Sequence, residues 1–150
     1  MKNTVIIICL FFLLSEVLAQ NTGNEIVGTW LTEKEDGIVN IYKRDQKYYG
    51  KLVWLKNPND DNGNPTADKH NRDKALRSRR LMGILILDSF VYNNEDKEWT
   101  NGKVYDPNMG HQAEGILTLV SNDVLKVKGY VGFRWISKSE IWKRTAKQTP

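Results

Sequence analysis

Short runs in which apolar and polar residues alternate, separated by turn signals, make up most of the chain after residue 25. The alternation is clearest in 124–133, where Leu125 and Val127 would lie on one face of a strand and Lys126 and Lys128 on the other. About eight such runs follow one another at a spacing of roughly 8–12 residues, which favours an antiparallel β-barrel or sandwich. The predicted strands are 26–31, 38–44, 48–55, 81–92, 99–105, 115–120, 124–133 and 138–144.

No run predicts a long amphipathic helix, so the expected fold is all-β: one eight-stranded antiparallel up-and-down barrel over 26–145. Pairing of its first and last strands would leave no exposed edge. Gly50 inside the third run and Asn101–Gly102 inside the fifth predict bulges or bends. A polar leader, 20–25, precedes the barrel, and a short tail, 146–150, follows it.

Residues 1–19 have the three parts of a secretory signal peptide. Lys2 precedes an apolar segment, 5–14, and Ala19 supplies the small residue before the expected cleavage point. A membrane anchor would need about 20 apolar residues, and Glu16 interrupts the run before that length. We therefore expect export to the periplasm or the medium, cleavage after Ala19, and no transmembrane segment in the mature protein.

Cleavage would change the chemistry of the chain but not its charge. It removes Lys2 and Glu16 together, so the net charge stays at +4, and it removes Cys9, the only cysteine. Without cysteine the mature protein can have no disulfide, no thiol catalysis and no cysteine-ligated zinc. The basic excess is spread among acidic residues, which is typical of a solvated surface and predicts no nucleic-acid partner.

A long polar loop, 57–80, separates the third and fourth runs. Loops of this length are uncommon in compact domains and are usually functional or disordered. Its first half, through Asp68, is rich in aspartate and asparagine, and we predict that it forms a solvated, mobile turn. This half fails the calcium-loop pattern because Lys69 stands where a glutamate is required. The second half, 72–79, predicts one or two helical turns with Asn71 as N-cap.

Asn71, Asp73, Arg77 and Arg79 form the main candidate cluster of this loop. Asp73 and Arg77 stand four residues apart, a spacing that makes an ion pair on a helix. One interpretation is structural: the cluster holds the loop on the barrel. The other is functional: Arg77 or Arg79 faces the barrel mouth and binds a carboxylate or phosphate group of a ligand.

Other candidate groups are dispersed. His70 and His111 lie far apart with no cysteine in the mature chain, so no metal or cofactor site is predicted. Asp106 and Glu114 could pair across the turn at 107–110, although aspartate typically stabilises such a turn through its own backbone. A hydrolase that uses these histidines and carboxylates is therefore the weakest of the functional hypotheses.

Trp54, Trp99 and Tyr105 are the aromatic residues expected near the loop end of the barrel. An eight-stranded barrel has room only for side chains or for one small ligand. These three residues would therefore either contact a ligand or close the mouth as core residues, and the sequence leaves both interpretations open.

The segment Gly28-Thr29-Trp30 resembles the Gly-x-Trp signature of lipocalins. In that fold the tryptophan closes one end of an eight-stranded barrel beneath a basic residue from near the C-terminus, and Arg144 stands at the matching position. The resemblance implies a lipocalin-like (calycin-like) barrel closed by Gly28, Trp30 and Arg144.

A fuller resemblance, over 26–144, is to a family of small exported bacterial proteins, domain of unknown function 2147. The matching segments are 28–30, 49–53, 71–79, 81–83, 99–102, 105–107, 125–130 and 142–144. Two positions depart from the family pattern: Arg80 replaces a usual proline, and Ala113 replaces a usual aromatic residue. The second departure implies a wider or altered site. The resemblance brings no established activity with it.

The leading functional hypothesis is non-catalytic binding of a small, partly hydrophobic molecule in the barrel, with Arg77 and Arg79 near the entrance. The alternative is a non-enzymatic envelope module with a filled barrel, whose loop 57–80 engages another protein. The interior of the barrel separates the two hypotheses, because a filled interior would exclude a carrier.

Overall fold

Eight strands form the barrel that the alternation predicts. The computed structural model describes residues 22–130, 132 and 137–146. Each strand is antiparallel to the next, and the last pairs with the first, which closes the sheet. The strands are β1 Gly28–Leu31, β2 Gly37–Arg44, β3 Lys47–Leu55, β4 Leu85–Asn93, β5 Glu98–Asp106, β6 His111–Ser121, β7 Val124–Tyr130 and β8 Ser137–Arg144. Two short 3-10 turns complete the elements of the described residues, Asn24–Ile26 and Lys74–Leu76.

Three predictions fall on parts of the chain outside the described residues. They are the signal peptide, 1–19, with its cleavage after Ala19, most of the tail, 146–150, and Phe133 at the end of the seventh strand. Export therefore stays a prediction.

The connections between strands divide between the two ends of the barrel, because consecutive strands run in opposite directions. The closed end carries the turn Asn24–Ile26 and the short β2–β3, β4–β5 and β6–β7 turns. The opposite end, called the loop end below, carries the β1–β2 loop, 32–36, the long loop, 56–84, and the β5–β6 turn, 107–110.

The long loop extends further than the sequence predicts, because β4 begins at Leu85 and not at residue 81. Gly83 adopts a left-handed conformation with φ +88°, which interrupts an extended strand. The turn is tied to β3 instead. The Gly83 N–H donates to the Leu52 carbonyl at 2.7 Å, and the Leu52 N–H donates to the Ile84 carbonyl at 3.0 Å. The apolar run 81–84 thus brings the loop back onto the barrel.

The closed end is sealed by a tryptophan and an arginine. Trp30 is fully buried, and the guanidinium of Arg144 lies 4.2 Å from its ring centroid. Arg144 also donates to the carbonyls of Glu25 and Val27 at 2.5 Å and 3.0 Å. Gly28 has φ +131°, and a Cβ there would lie 2.9 Å from an Arg144 Nη atom. This is the arrangement that the lipocalin resemblance implies.

Large side chains fill the closed half of the barrel. Phe90 lies against Gly102 and Gly115, where an added Cβ would come within 2.4 Å and 2.7 Å of its ring atoms. Trp99 and Tyr48, both buried, meet edge to face with ring centroids 6.2 Å apart. These five residues form the inner core of the closed half, and none of them borders the cavity at the other end.

A bulge in β5 changes which residues face inward. The register shifts between Trp99 and Gly102, and Asn101 has φ +60°, which confirms the bulge predicted at this point. Beyond it, Gly102 faces Phe90 and Val104 borders the cavity. Because alternate residues face opposite sides of a sheet, Tyr105 points away from Val104, and its hydroxyl donates to Asp68 of the long loop, although the residue also borders the cavity at its rim.

Candidate functional site

A cavity of about 640 Å³ occupies the loop-end half of the barrel. It is bordered at the rim by the β1–β2 loop, the start of the long loop and the β5–β6 turn. Its wall is mainly apolar, formed by inward side chains of seven strands. The apolar wall residues are Val39, Leu52, Leu55, Ile86, Val104, Ala113, Val127 and Trp142.

The cavity exists because two inward positions carry almost no side chain. Gly129 of β7 faces open space, since an added Cβ would meet only the Cβ of Ala113, at 3.7 Å. Ala113 of β6 is paired with Val104 of β5, and both border the cavity. In the closed half, Gly102 and Gly115 also lack side chains, but there Phe90 fills the space. Small residues leave a void only where no facing ring occupies it.

Three charged side chains form the polar part of the cavity wall. Lys138 Nζ lies 3.3 Å from Asp106 Oδ2 and 3.1 Å from Glu140 Oε1. Trp142 Nε1 donates to Glu140 Oε2 at 3.2 Å. The hydrogen bond to Glu140 is the largest effect and raises the pKa of Lys138; burial opposes it, and the charges of Asp106 and Glu140 add to the rise. The wall is therefore apolar below and charged on one side near the mouth.

The sequence analysis did not single out Lys138 or Glu140. The signal was present: in β8 the even-numbered residues share a face with the buried Trp142. Lys138 is paired with Gly129 and Glu140 with Val127, both of which border the cavity. Charges at strand positions are usually assigned to the outer face, and only the register of β8 on β7 shows otherwise.

The candidate cluster of the long loop lies outside this wall. None of Asn71, Asp73, Arg77 and Arg79 borders the cavity. Asn71 and Arg79 contact Asp68, which is 1% exposed, whereas Asp73 and Arg77 are hydrogen-bonded to Asn71. The functional interpretation of the arginines stays a prediction, whereas the contacts around Asp68 are those of a structural attachment.

Asp68 is the centre of that attachment. Its carboxylate accepts hydrogen bonds from the Tyr105 hydroxyl at 2.6 Å, from Asn71 Nδ2 at 2.7 Å, and from Arg79 Nε at 2.9 Å. Arg79 also forms an ion pair with it at 2.8 Å. Burial, followed by the hydrogen bond to Asp68, raises the pKa of Tyr105 to about 12. The prediction that the first half of the loop is solvated and mobile is therefore wrong at Asp68. This residue is buried and joins the loop to Tyr105 of β5.

The helical turn differs from its prediction in two respects. Asp73, and not Asn71, is the N-cap, because its side chain accepts from the Ala75 N–H at 2.9 Å. Arg77 donates from Nε to the Asn71 carbonyl at 2.7 Å and forms no ion pair with Asp73 within 4 Å. The physical reason is the length of the turn: Lys74–Leu76 is one turn of 3-10 helix, too short to present residues four apart on one face.

The sequence profile of a family described as "Uncharacterized protein conserved in bacteria (DUF2147)" matches residues 28–144. The chain belongs to this family. No curated protein matches the chain.

The fold of this DUF2147 chain has a solved counterpart. It is similar to the protein HP1028 from the human pathogen Helicobacter pylori, described as belonging to the lipocalin family, with a TM-score of 0.66 and 20% sequence identity. The match covers 81% of this chain and 83% of the other. At this identity the likeness shows the lipocalin-like fold alone.

The three aromatic residues expected near the mouth of the DUF2147 barrel separate in the structure. Trp99 lies at the closed end, because it stands at the start of β5, and its Nε1 donates to the Gly23 carbonyl at 3.0 Å. Its expected place near the loop end is therefore wrong. Trp54 lies near the loop end of β3 but does not border the cavity, whereas Tyr105 does.

Of the four dispersed catalytic and metal candidates in the DUF2147 chain, Asp106 and His111 are paired across β5 and β6 and border the cavity, whereas His70 and Glu114 lie apart from them. His70 is exposed in the long loop, while His111 borders the cavity. Glu114 is paired with Lys103 on the outer face, whereas Asp106 borders the cavity, so the two carboxylates do not pair. Asp106 Oδ1 instead accepts from the Asn108 N–H at 2.9 Å, as a turn-stabilising aspartate does.

The described residues form neither a cluster of metal ligands nor a helix that could span a membrane. No three histidine, cysteine, aspartate or glutamate side chains come together in a way that could hold a metal ion. No helix of the described residues has the length and apolar character needed to cross a bilayer.

Proposed function

We propose that the protein is a non-catalytic binding protein that holds one small, partly hydrophobic molecule inside its barrel. The observation that carries the proposal is the cavity of about 640 Å³ at the loop end. Small-molecule pockets typically have volumes of roughly 300–1,000 Å³ and mainly apolar walls with a few placed polar groups. Because residues 1–19 have the pattern of a signal peptide, we propose that this binding takes place outside the cytoplasm.

The interior of the barrel also bears on the two other hypotheses. A protein-interaction module with a filled barrel does not agree with the hollow loop-end half. A hydrolase would need a carboxylate free to act on substrate or water, but Asp106 and Glu140 are both bound to Lys138. Binding of a small molecule is therefore the function that the cavity supports best.

The proposal predicts that filling the cavity abolishes binding. Ala113→Phe would project a ring into the space next to Gly129, and Gly129→Leu would fill the same space from the neighbouring strand β7. Binding is measured with N-phenyl-1-naphthylamine, a neutral fluorescent probe, and we expect either variant to weaken it about tenfold or more, since the apolar contact area is lost. Val120→Phe is the matched control, because Val120 lies on the same strand but is 61% exposed.

Two outcomes would contradict the proposal: a wild-type protein that does not bind the probe, or Ala113→Phe binding as tightly as Val120→Phe. Native mass spectrometry of the protein purified from its own host supplies an independent result. A co-purifying small molecule that is lost in both filling variants would support the proposal.

A further inference from the structure

The charged part of the cavity wall has an excess of negative charge. We call Asp106, Lys138 and Glu140 the wall triad. One ammonium group lies between two carboxylates, at 3.3 Å and 3.1 Å, so the triad carries a formal charge of −1. Trp142 Nε1 donates to Glu140 from below but brings no charge.

Glu140 is the deepest charged group among the described residues of β8 that face the cavity. It is paired with Val127, whereas Lys138 is paired with Gly129, nearer the mouth. Below it, Trp142 and its partner Leu125 are apolar and buried. A molecule that places its apolar part on this floor therefore brings its polar group to the level of Glu140, and a carboxylate can only accept hydrogen bonds.

We infer that the cavity selects amphiphilic molecules whose polar group is a positively charged hydrogen-bond donor, an organic ammonium, over molecules that end in a carboxylate. An ammonium group gains a charge-assisted bond to Glu140, whose side chain is 26% exposed, so that water screens the bond less than it would on the outer surface. An anionic group would have to displace Lys138 from two carboxylates that then remain beside it. The inference rests on the proposed binding function and names the ligand class for it.

Charges at the rim do not reverse this preference. Lys34, Asp36 and Lys56 border the mouth, and all three are exposed. Their summed charge of +1 acts through water, where salt screens charges beyond about 8–10 Å. The inferred contact for the polar group is Glu140, and not Arg77 or Arg79 of the long loop, because neither arginine borders the cavity.

The test compares three molecules with the same apolar chain: dodecylamine, dodecanol and dodecanoate. Each displaces N-phenyl-1-naphthylamine at pH 7, below its critical micelle concentration. We expect dodecylamine to bind most tightly and dodecanoate least, with about a tenfold or larger difference between them. Adsorption to the outer surface would give the opposite order, because the chain is basic, with a net charge of +4.

Variants of the wall triad assign the preference to its residues. Glu140→Gln should weaken dodecylamine binding about tenfold and leave dodecanol within about twofold, because one charged acceptor is lost. Lys138→Gln should strengthen dodecylamine binding, because the excess negative charge rises. Glu114→Gln is the matched control, since Glu114 makes the same charge change on the outer face of β6, opposite Lys103.

The outcomes separate the inference from the proposed function. If dodecanol binds but dodecylamine binds no better than dodecanoate, the ammonium preference is wrong and the binding function stands. The same holds if Glu140→Gln and Glu114→Gln affect dodecylamine equally. If the wild-type protein does not bind N-phenyl-1-naphthylamine, both proposals fail, whereas a bound probe that none of the three molecules displaces overturns the ammonium preference alone. Should Glu140→Gln not fold, the wild-type order and Lys138→Gln still decide the question.

Discussion

Asp68 shows how one side chain fixes a long polar loop. Its carboxylate is fully buried, yet it accepts hydrogen bonds from Tyr105, Asn71 and Arg79, so the charge is paired and its oxygens are satisfied. A buried charge with partners is tolerated, whereas removal of the charge leaves those partners without an acceptor. In the sequence Asp68 cannot be told from the exposed Asp61 of the same loop, because only the folded loop brings Tyr105 beside it.

We therefore expect Asp68→Ala to lower the free energy of unfolding by about 3 kcal/mol, at the lower end of the range for broken buried pairs because Arg79 is partly exposed. Urea denaturation followed by tryptophan fluorescence measures the change. Asp61→Ala, an exposed residue, should change stability by less than about 0.5 kcal/mol. Equal effects of the two substitutions would show that the Asp68 attachment does not stabilise the fold.

At the scale of strands, three inward-facing glycines have different roles. Gly102 of β5 and Gly115 of β6 leave room for the ring of Phe90, whereas Gly129 of β7 opens onto the cavity. The bulge at Asn101 decides this for β5, because it restores an inward position at Gly102. The sequence predicts the bulge but not the partner that each glycine meets across the barrel.

The contrast predicts different effects for the same substitution. Gly102→Ala should cost about 1–3 kcal/mol, because its Cβ would come within 2.4 Å of the packed Phe90 ring. Gly129→Ala should leave stability unchanged or raise it by up to about 1 kcal/mol, because the position has space and alanine restricts the unfolded chain. Thermal and urea unfolding of both variants measure this. Comparable losses would mean that β7 is as tightly packed as β5.

At the scale of the whole molecule, one end of the barrel is sealed and the other holds the cavity. Strands β1 and β8 share only two paired positions, Trp30 with Arg144 and Leu31 with Lys143. Arg144 reinforces this short contact: its side chain lies over Trp30 and donates to backbone carbonyls, including that of Asn122 at 2.7 Å. The cavity lies at the loop end, and neither Trp30 nor Arg144 borders it.

Arg144→Lys should therefore lower the free energy of unfolding by about 2 kcal/mol, since lysine cannot reproduce the planar fork or its stacking on Trp30. Lys143→Ala, at the exposed neighbouring position, is the control and should have little effect. Below the melting temperature, probe binding by Arg144→Lys should match the wild-type protein. Lost binding in the folded variant would show that the closed end also shapes the cavity.

By itself the sequence determined the features that depend on local order along the chain. Alternation of apolar and polar residues and the turn signals predicted the eight strands of the barrel, and the glycine and asparagine positions predicted its bulges. These features follow from backbone geometry within a few residues. The prediction was wrong for the helical turn of the long loop, which rested on composition. Asn71 was expected to cap this turn, but Asp73 is the cap, and the turn is a single turn of 3-10 helix.

Only the tertiary structure decided where the empty space and its charges lie. The cavity depends on which inward side chains meet across the barrel, and that depends on the register of each strand pair. Gly129 leaves a void because its nearest neighbour, on the paired strand β6, is the small Ala113, and Lys138 and Glu140 reach the wall only because β8 pairs with β7 in this register. A shift of one residue would turn the same two charges outward, since successive residues of a strand face opposite sides.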